Sequence, residues 1–189
     1  MRREMRDERV TLLLKACKGV RDVLTLMAEV RADDSLISFA RYLFDDDERV
    51  HRHAAWVLTK ATDDELLQLL PMQQRLIDLV LQTSDNSLCR LTLNLLERMP
   101  LDSETMRTDL LDFCLSHMML PSETPGVQSL CMKLAHRMCS AYPELAEEFR
   151  LTLVNMDENF YTSAIRSLRR KMLRNQIARS IPPPACDQC

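Results

Sequence analysis

Apolar residues recur along the chain at helical spacing, and one set of spacings occurs four times. Counted from Val50, apolar or small residues stand at offsets 4, 7, 8 and 11, which lie on one stripe of an α-helix. Similar stripes begin at Leu88, Val127 and Tyr161, at successive separations of 38, 39 and 34 residues, and a fainter copy begins at Val20. The stripes comprise Ala54, Val57, Leu58 and Ala61; Leu91, Thr92, Leu95, Leu96 and Met99; Leu130, Cys131, Leu134, Ala135 and Met138; Ala164, Ile165, Leu168 and Met172; and Val23, Leu24, Met27 and Ala28. The pattern predicts one amphipathic helix in each period, called here the second helix.

A further apolar stripe precedes each of these helices and predicts a first helix. These stripes comprise Ile37, Ala40 and Phe44; Leu76, Leu79 and Val80; Met106, Leu110, Phe113 and Cys114; and Leu145, Phe149, Leu153 and Met156. Prolines stand in or beside the joints, where proline ends one helix or opens the next. Two helices in a period of 34 to 39 residues are typical of an α-solenoid, here with about five antiparallel helix pairs.

The composition also favours an all-α fold. Glycine occurs only twice and aromatic residues make up 5% of the chain, whereas 46% of the residues are hydrophobic. Such a mixture favours helices and lacks the turn residues that β-hairpins need. A length of 189 residues is sufficient for one domain with a buried core.

In period and pattern the chain resembles the HEAT and armadillo repeat families over residues 8 to 177. The resemblance implies a right-handed α-α superhelix in which the second helix of each pair lines the concave side. We therefore expect a helical repeat domain over residues 1–177. The ending "IPPPACDQC" predicts a disordered tail over residues 178–189, because a triple proline follows the last helix.

The stretch "DDDERVHRHAAW", residues 45–56, contains three aspartates and two histidines. It raises the alternatives of a metal or catalytic cluster and of a helix start. Three residues before the four apolar starts stand Asp47, Asp85, Thr124 and Glu158, at the position of a helix N-cap. His51 and His53 point about 200° apart on a helix and cannot share a metal. We expect His53 to be a hydrogen-bonded core residue and His51 to be solvated, and we predict no metal site and no cofactor.

The cysteines and the start of the chain bear on its compartment. Cys17, Cys114 and Cys131 fall on apolar helical faces, which predicts buried, reduced thiols. Cys186 and Cys189 form an isolated C-x-x-C pair, and the sequence leaves open whether it has a redox or metal role. No apolar run approaches the roughly 20 residues needed to cross a bilayer, and "MRREMRDERV" does not resemble a secretory signal. These observations predict a cytoplasmic protein with no membrane segment.

Charge is unevenly divided between the two kinds of helix. The second helices carry 13 Lys or Arg against 2 acids, counted over residues 48–62, 86–99, 125–141 and 159–179. The first helices carry 4 against 15, counted over residues 36–47, 63–83, 102–118 and 143–157. One interpretation is a basic binding face. The alternative is that solvated second helices carry Lys and Arg in any case, and that the acidic first helices only balance them.

The basic residues also recur at fixed positions beside the core stripe. Offsets 2, 6 and 10 lie on one flank of a helix because they are four residues apart. The candidate binding residues on this flank and on the last helix are Arg52, Trp56, Lys60, Arg90, Arg98, Lys133, Arg137, Arg166, Arg170 and Lys171. We expect Lys60, Arg98, Arg137 and Lys171 to be exposed along one concave surface, while Trp56 is either an anchor there or packed against a neighbouring repeat.

These features favour a non-enzymatic interaction module, or scaffold, that binds an acidic protein or peptide on a basic concave face. The alternative is a nucleic-acid-binding HEAT-like protein, although the pI of about 5.8 and the scarcity of aromatics argue against it. HEAT-like DNA alkylpurine glycosylases combine a basic concave face with tryptophans and an aspartate near the lesion. This chain has a single tryptophan, and its aspartates stand mostly at helix caps or on first helices, so we do not carry that activity over. No phosphate-binding loop or nucleophile motif is present, and the partner and oligomeric state stay open.

Overall fold

All regular structure in the described residues is helical. The computed structural model describes the backbone of residues 2–33, 36–101 and 106–180 and the side chains of residues 7–33, 36–101 and 106–174. The α-helices are α1 Arg2–Ala16, α2 Val20–Ala32, α3 Leu36–Ala40, α4 Glu48–Leu58, α5 Asp63–Leu67, α6 Gln73–Gln82, α7 Asn86–Arg98, α8 Thr108–Met119, α9 Pro125–Cys139, α10 Pro143–Asn155 and α11 Ser163–Ser180. Short 3-10 turns span Arg41–Phe44, Leu70–Met72 and Glu158–Phe160. The predicted all-α class is confirmed.

The helices form two compact units, Met1–Pro100 and Leu101–Cys189. In the first unit, α1 precedes α2, α3 and its 3-10 turn pack on α4, and α6 packs on α7, with the short α5 between the last two pairs. In the second unit, α8 packs on α9 and α10 packs on α11. Four of the predicted pairs therefore pack together in the described residues, and α1 and α2 both pack on α4. The single domain over residues 1–177 stays a prediction. Of the predicted tail, residues 181–189 lie outside the described residues, and the helical backbone of α11 continues to Ser180.

The second helices α4, α7 and α9 bury the apolar stripes that the sequence predicts. Every position of these three stripes, Thr92 included, lies in the core. Leu95 of α7 and Leu134 of α9 have no exposed surface. The helical period of the sequence therefore fixes which face of these helices is covered. The predicted buried thiols Cys17, Cys114 and Cys131 are confirmed, whereas Cys186 and Cys189 lie outside the described residues.

The predicted stripe of α2 is wrong on one side. Val20 and Leu24 are 55% and 52% exposed, and α2 instead buries Val23, Leu26 and Met27. Its covered face is rotated away from the Val20 side because α2 packs on α3 and α4 through the other flank. Ile37, expected to be buried, is also exposed.

The start of the last helix also differs from the prediction. Asp157 accepts a hydrogen bond from the Asn159 N–H at 3.0 Å and so caps the 3-10 turn Glu158–Phe160 rather than α11. The helix begins at Ser163. Ile165 is buried, but Ala164, at a predicted core position, is exposed.

The aspartate run of residues 45–47 opens a helix, as predicted. The Asp47 carboxylate accepts hydrogen bonds from the N–H groups of Arg49 at 2.9 Å and Val50 at 3.2 Å. Asp85 caps α7 in the same way. Thr124 makes no side-chain cap bond, although it occupies the N-cap position of α9. These aspartates therefore satisfy backbone groups that the first turn leaves without partners.

Both histidines of α4, His51 and His53, are half-buried. The Nδ1 atom of His53 lies 2.6 Å from the carbonyl oxygen of Leu14, so the predicted hydrogen-bonded histidine is confirmed. The expectation that His51 is solvated is wrong: its Nε2 is buried and has no hydrogen-bond partner among the described residues. α4 is covered by α1, α2, α3 and α7, and this leaves little of its surface to solvent.

Replacement of Leu95 tests the packing of the first unit. Leu95→Ala removes a side chain with no exposed surface and leaves a cavity, so we expect the free energy of unfolding to fall by about 2–5 kcal/mol. Urea denaturation monitored by circular dichroism measures the change. A loss below about 0.5 kcal/mol, the range of ordinary surface substitutions, would contradict the burial described here.

Candidate interaction surface

The basic residues of the second helices fall into two groups. Members of one group bind acids or backbone carbonyl groups within their own unit. Members of the other make no ion pair with any described residue. The positions of these residues along the chain do not show which group each belongs to, because the acid that an arginine binds is often more than 30 residues away.

Arg98, at the end of α7, belongs to the first group. Its guanidinium donates to the carbonyl oxygens of Thr59 at 3.2 Å and Ala61 at 2.6 Å and to the carboxylate of Asp63 at 2.8 Å. Its side chain is only 22% exposed. The expectation that Arg98 is substantially exposed is therefore wrong. The carbonyl groups that Arg98 binds lie just beyond the C-terminal end of α4, where the helix dipole also favours a cation.

Arg31, at the end of α2, binds the same turn after α4. It donates to the carbonyl oxygen of Lys60 at 3.0 Å and to the carboxylate of Glu65 through two hydrogen bonds of 2.6 and 2.9 Å. The hydrogen bond from Arg31 lowers the pKa of Glu65 to about 2. We call Arg31 and Arg98, together with the turn 59–65, the arginine clamp. Sequence reasoning missed Arg31, although its place 11 residues after Val20 is close to the offset of 10 at which Arg98 follows Leu88.

Arg52 binds an acid as well. Its Nε lies 2.5 Å from an oxygen of Asp85, the residue that caps α7. The Nζ of Lys15 stands 2.8 Å from Asp47, the cap of α4. In both cases a cation on one helix contacts the N-cap aspartate of a later second helix. Arg52 therefore contributes to the contact between α4 and α7, and its charge is largely matched.

Two arginines of α11 are also engaged. Arg169 donates to the carbonyl oxygens of Leu153 at 2.5 Å and Val154 at 3.1 Å, at the end of α10. Arg169 and Arg170 both bind the carboxylate of Glu158, at 2.7 and 2.6 Å. The hydrogen bond from Arg170 contributes most to lowering the pKa of Glu158. Arg170, a predicted binding residue, is thus paired even though its side chain is 61% exposed.

The second group forms no ion pairs among the described residues, although the charge of Arg166 still acts on Glu158 and contributes to lowering the pKa of that carboxyl. Its members make no ion pair with any residue that the structure describes, and we call them the free basic set: Arg49, Lys60 and Arg90 in the first unit, and Lys133, Arg166, Lys171 and Arg174 in the second. Arg49, Arg90, Lys171 and Arg174 are exposed, whereas Lys60, Lys133 and Arg166 are half-buried. Arg137 is half-buried and makes contacts of its own, so it does not belong to this set.

Trp56 is not a fully exposed residue that could serve as an anchor without rearrangement. It is half-buried, with its ring centroid 6.2 Å from that of His53 on the same helix. Within the described ranges, no group of three or more His, Cys, Asp or Glu is arranged to hold a metal ion. None of the helices described is long and apolar enough to span a bilayer.

Comparison with known proteins agrees with the helical architecture. The chain matches the HEAT repeat domain over residues 12–176. It belongs to the HEAT repeat family. No curated protein and no solved structure matches the chain. HEAT repeats generally serve as protein-interaction scaffolds and are typically non-enzymatic.

The two groups of arginine should respond differently to the same substitution. Arg98→Met removes the hydrogen bonds that Arg98 makes in the arginine clamp, and we expect a loss of about 1–3 kcal/mol in the free energy of unfolding. Arg90→Met, on the same helix, removes an exposed charge and should change it by less than about 0.5 kcal/mol. Arg and Met have similar helix propensities, so helix formation is matched between the two. Equal effects in chemical denaturation would contradict the division.

Proposed function

We propose that the chain is a non-enzymatic interaction module in which the members of the free basic set within each unit hold acidic segments of a partner protein. The observation that carries the proposal is the unmatched charge. Once the arginines that bind carbonyl groups and acids are set aside, Lys60, Arg90, Lys133 and Lys171 still make no ion pair with a described residue. These cations are available to a partner without breaking an internal contact.

The charge of the second helices supports an acidic partner. Lys and Arg outnumber acids on these helices by 13 to 2, and a surface of one sign attracts and orients partners of the other. The net charge of the whole chain is −3, so the attraction is local to these helices. The paired arginines Arg52 and Arg98 instead stabilise the first unit: Arg52 joins α4 to the cap of α7, and Arg98 joins α7 to the turn after α4.

Nucleic acid is the competing partner, since phosphates also neutralise lysine and arginine. Binding to single strands usually adds aromatic side chains on which bases stack. On the described second helices the only tryptophan is half-buried, and α9 has no aromatic residue. We therefore favour a protein partner.

Charge reversal of the free basic set tests the proposal. Lys171→Glu with Arg174→Glu, both at exposed positions of α11 in the second unit, should lower the affinity for a glutamate-rich peptide by about tenfold or more, because two attractive contacts become repulsive. Stability should change little, since exposed charges contribute little to it. Lys18→Glu with Arg21→Glu is the matched control: it makes the same change in net charge at exposed residues outside the four second helices counted above. Fluorescence anisotropy measures binding.

Two results would count against the proposal. Equal weakening by both double variants would show that only net charge matters. Preferential binding of duplex DNA, with the logarithm of affinity falling linearly against the logarithm of salt at a slope of about −0.9 per phosphate contacted, would favour the nucleic-acid function instead.

A further inference from the structure

Three arginines of α11 lie on one face of that helix, and we call Arg166, Arg170 and Arg174 the arginine row. They are four residues apart, so they follow one another along the helix at a rise of about 6 Å per step. Ser163 and Ser167 lie on the same face and are exposed, and no described side chain of α11 is acidic. This face of α11 therefore carries only guanidinium groups and short hydroxyl side chains.

A carboxylate of the protein itself already lies at the middle of the arginine row. The Oε2 atom of Glu158 accepts a hydrogen bond from Arg170 at 2.6 Å, and its Oε1 atom accepts one from Arg169 at 2.7 Å. The hydrogen bond from Arg170 contributes most to lowering the pKa of Glu158, and the charges of Arg169 and Arg166 contribute as well. Arg166 and Arg170 thus act on one site, and that site accepts a carboxylate.

The two arginines that bind Glu158 differ in their surroundings. Arg169 is only 14% exposed, and it also donates to the carbonyl oxygens of Leu153 and Val154. Arg170 is 61% exposed, and its only acidic partner among the described residues is Glu158. A carboxylate from solution can therefore reach Arg170, while Arg169 stays in place and continues to neutralise Glu158.

A purely structural role for Glu158 would be fulfilled by Arg169 alone. Arg169 already joins α11 to the end of α10 and to the turn Glu158–Phe160. The contact with the exposed Arg170 adds little to stability, as is usual for an ion pair at the surface. It does, however, occupy the central member of the arginine row.

We infer that Glu158 is an internal competitor for the arginine row, which occupies Arg170 in the free protein and yields it to a carboxylate of the acidic partner. The inference rests on the proposed function and adds to it the binding face of α11 and a residue that weakens binding there. The free protein offers Arg166 and Arg174 to the partner, whereas the bound protein uses all three arginines of the row.

Two glutamate-to-glutamine variants test the inference. Glu158→Gln removes the competing charge but keeps the shape of the side chain and an oxygen that accepts hydrogen bonds, so the fold should be kept. We expect it to bind an oligoglutamate peptide about two- to fivefold more tightly than the wild type, in line with the strength of an exposed ion pair. Fluorescence anisotropy of a labelled peptide measures the affinity, and thermal unfolding checks the fold.

Glu147→Gln is the matched control. It makes the same change in net charge in the same unit and frees Arg150 of α10, which is not part of the arginine row. At about 0.15 M salt the charge of a residue away from the bound peptide is screened, so the affinity should change by less than about 1.5-fold.

The gain in affinity should depend on Arg170. In an Arg170→Gln background, Glu158→Gln should lose most of its effect, because the arginine for which Glu158 competes is missing. The wild-type protein gives a second measurement by heteronuclear NMR. Addition of the peptide should shift the Nε–H signal of Arg170 and leave unchanged that of Arg169, which donates to the carbonyl oxygen of Leu153 at 2.5 Å.

The possible failures can be told apart. If the wild type does not bind the oligoglutamate peptide, the proposed function fails and the inference fails with it. If the wild type binds but Glu158→Gln and Glu147→Gln have equal effects, the inference is overturned while the proposed function stands. A gain that survives in the Arg170→Gln background, or an NMR shift at Arg169 as large as that at Arg170, would also overturn it. If Glu158→Gln does not fold, the NMR titration of the wild type decides.

Discussion

Carbonyl groups at or just beyond the C-terminal ends of helices accept hydrogen bonds from arginine in both units. Arg31 and Arg98 donate to the carbonyl groups of residues 59–61 at the end of α4. Arg169 does the same for Leu153 and Val154 at the end of α10. An unsatisfied carbonyl group in such a partly buried position costs free energy comparable to a lost hydrogen bond. This requirement decides how adjacent helices are joined and which basic residues are used in joining them.

The same requirement separates the arginines that have partners within the fold from the basic residues that we propose for binding. An arginine held by carbonyl groups and a carboxylate, such as Arg98, stabilises the fold, and a partner would have to break its contacts to use it. An exposed cation with no described ion pair, such as Arg90 or Lys171, contributes little to stability and is available for binding. The basic residues that stabilise the fold and those proposed to bind a partner are therefore different residues of the same helices.

The sequence predicted the parts of this structure that depend on local periodicity. The buried faces of α4, α7 and α9 follow from the spacing of residues such as Leu95 and Leu134. The caps of α4 and α7, Asp47 and Asp85, follow from their position three residues before the apolar stripe. The covered face of α2 was misjudged because Val20 and Leu24 match the helical period equally well, and only the neighbouring helices decide which flank is covered. Period and charge alone do not show that the partner of Arg98 lies 35 residues earlier in the chain.

Hydrogen exchange at individual arginine side chains tests most directly whether some arginines are held by partners in the fold while others are free of ion pairs. The Nε–H of Arg31, Arg52 and Arg98 donates to a carboxylate at 2.6, 2.5 and 2.8 Å, respectively. In heteronuclear NMR these three protons should exchange with water slowly enough to give sharp signals at neutral pH, whereas Arg90 and Arg174 should exchange rapidly. If Arg98 exchanged as fast as Arg90, the arginine clamp would not exist in solution, and the separation of structural from binding arginines would be wrong.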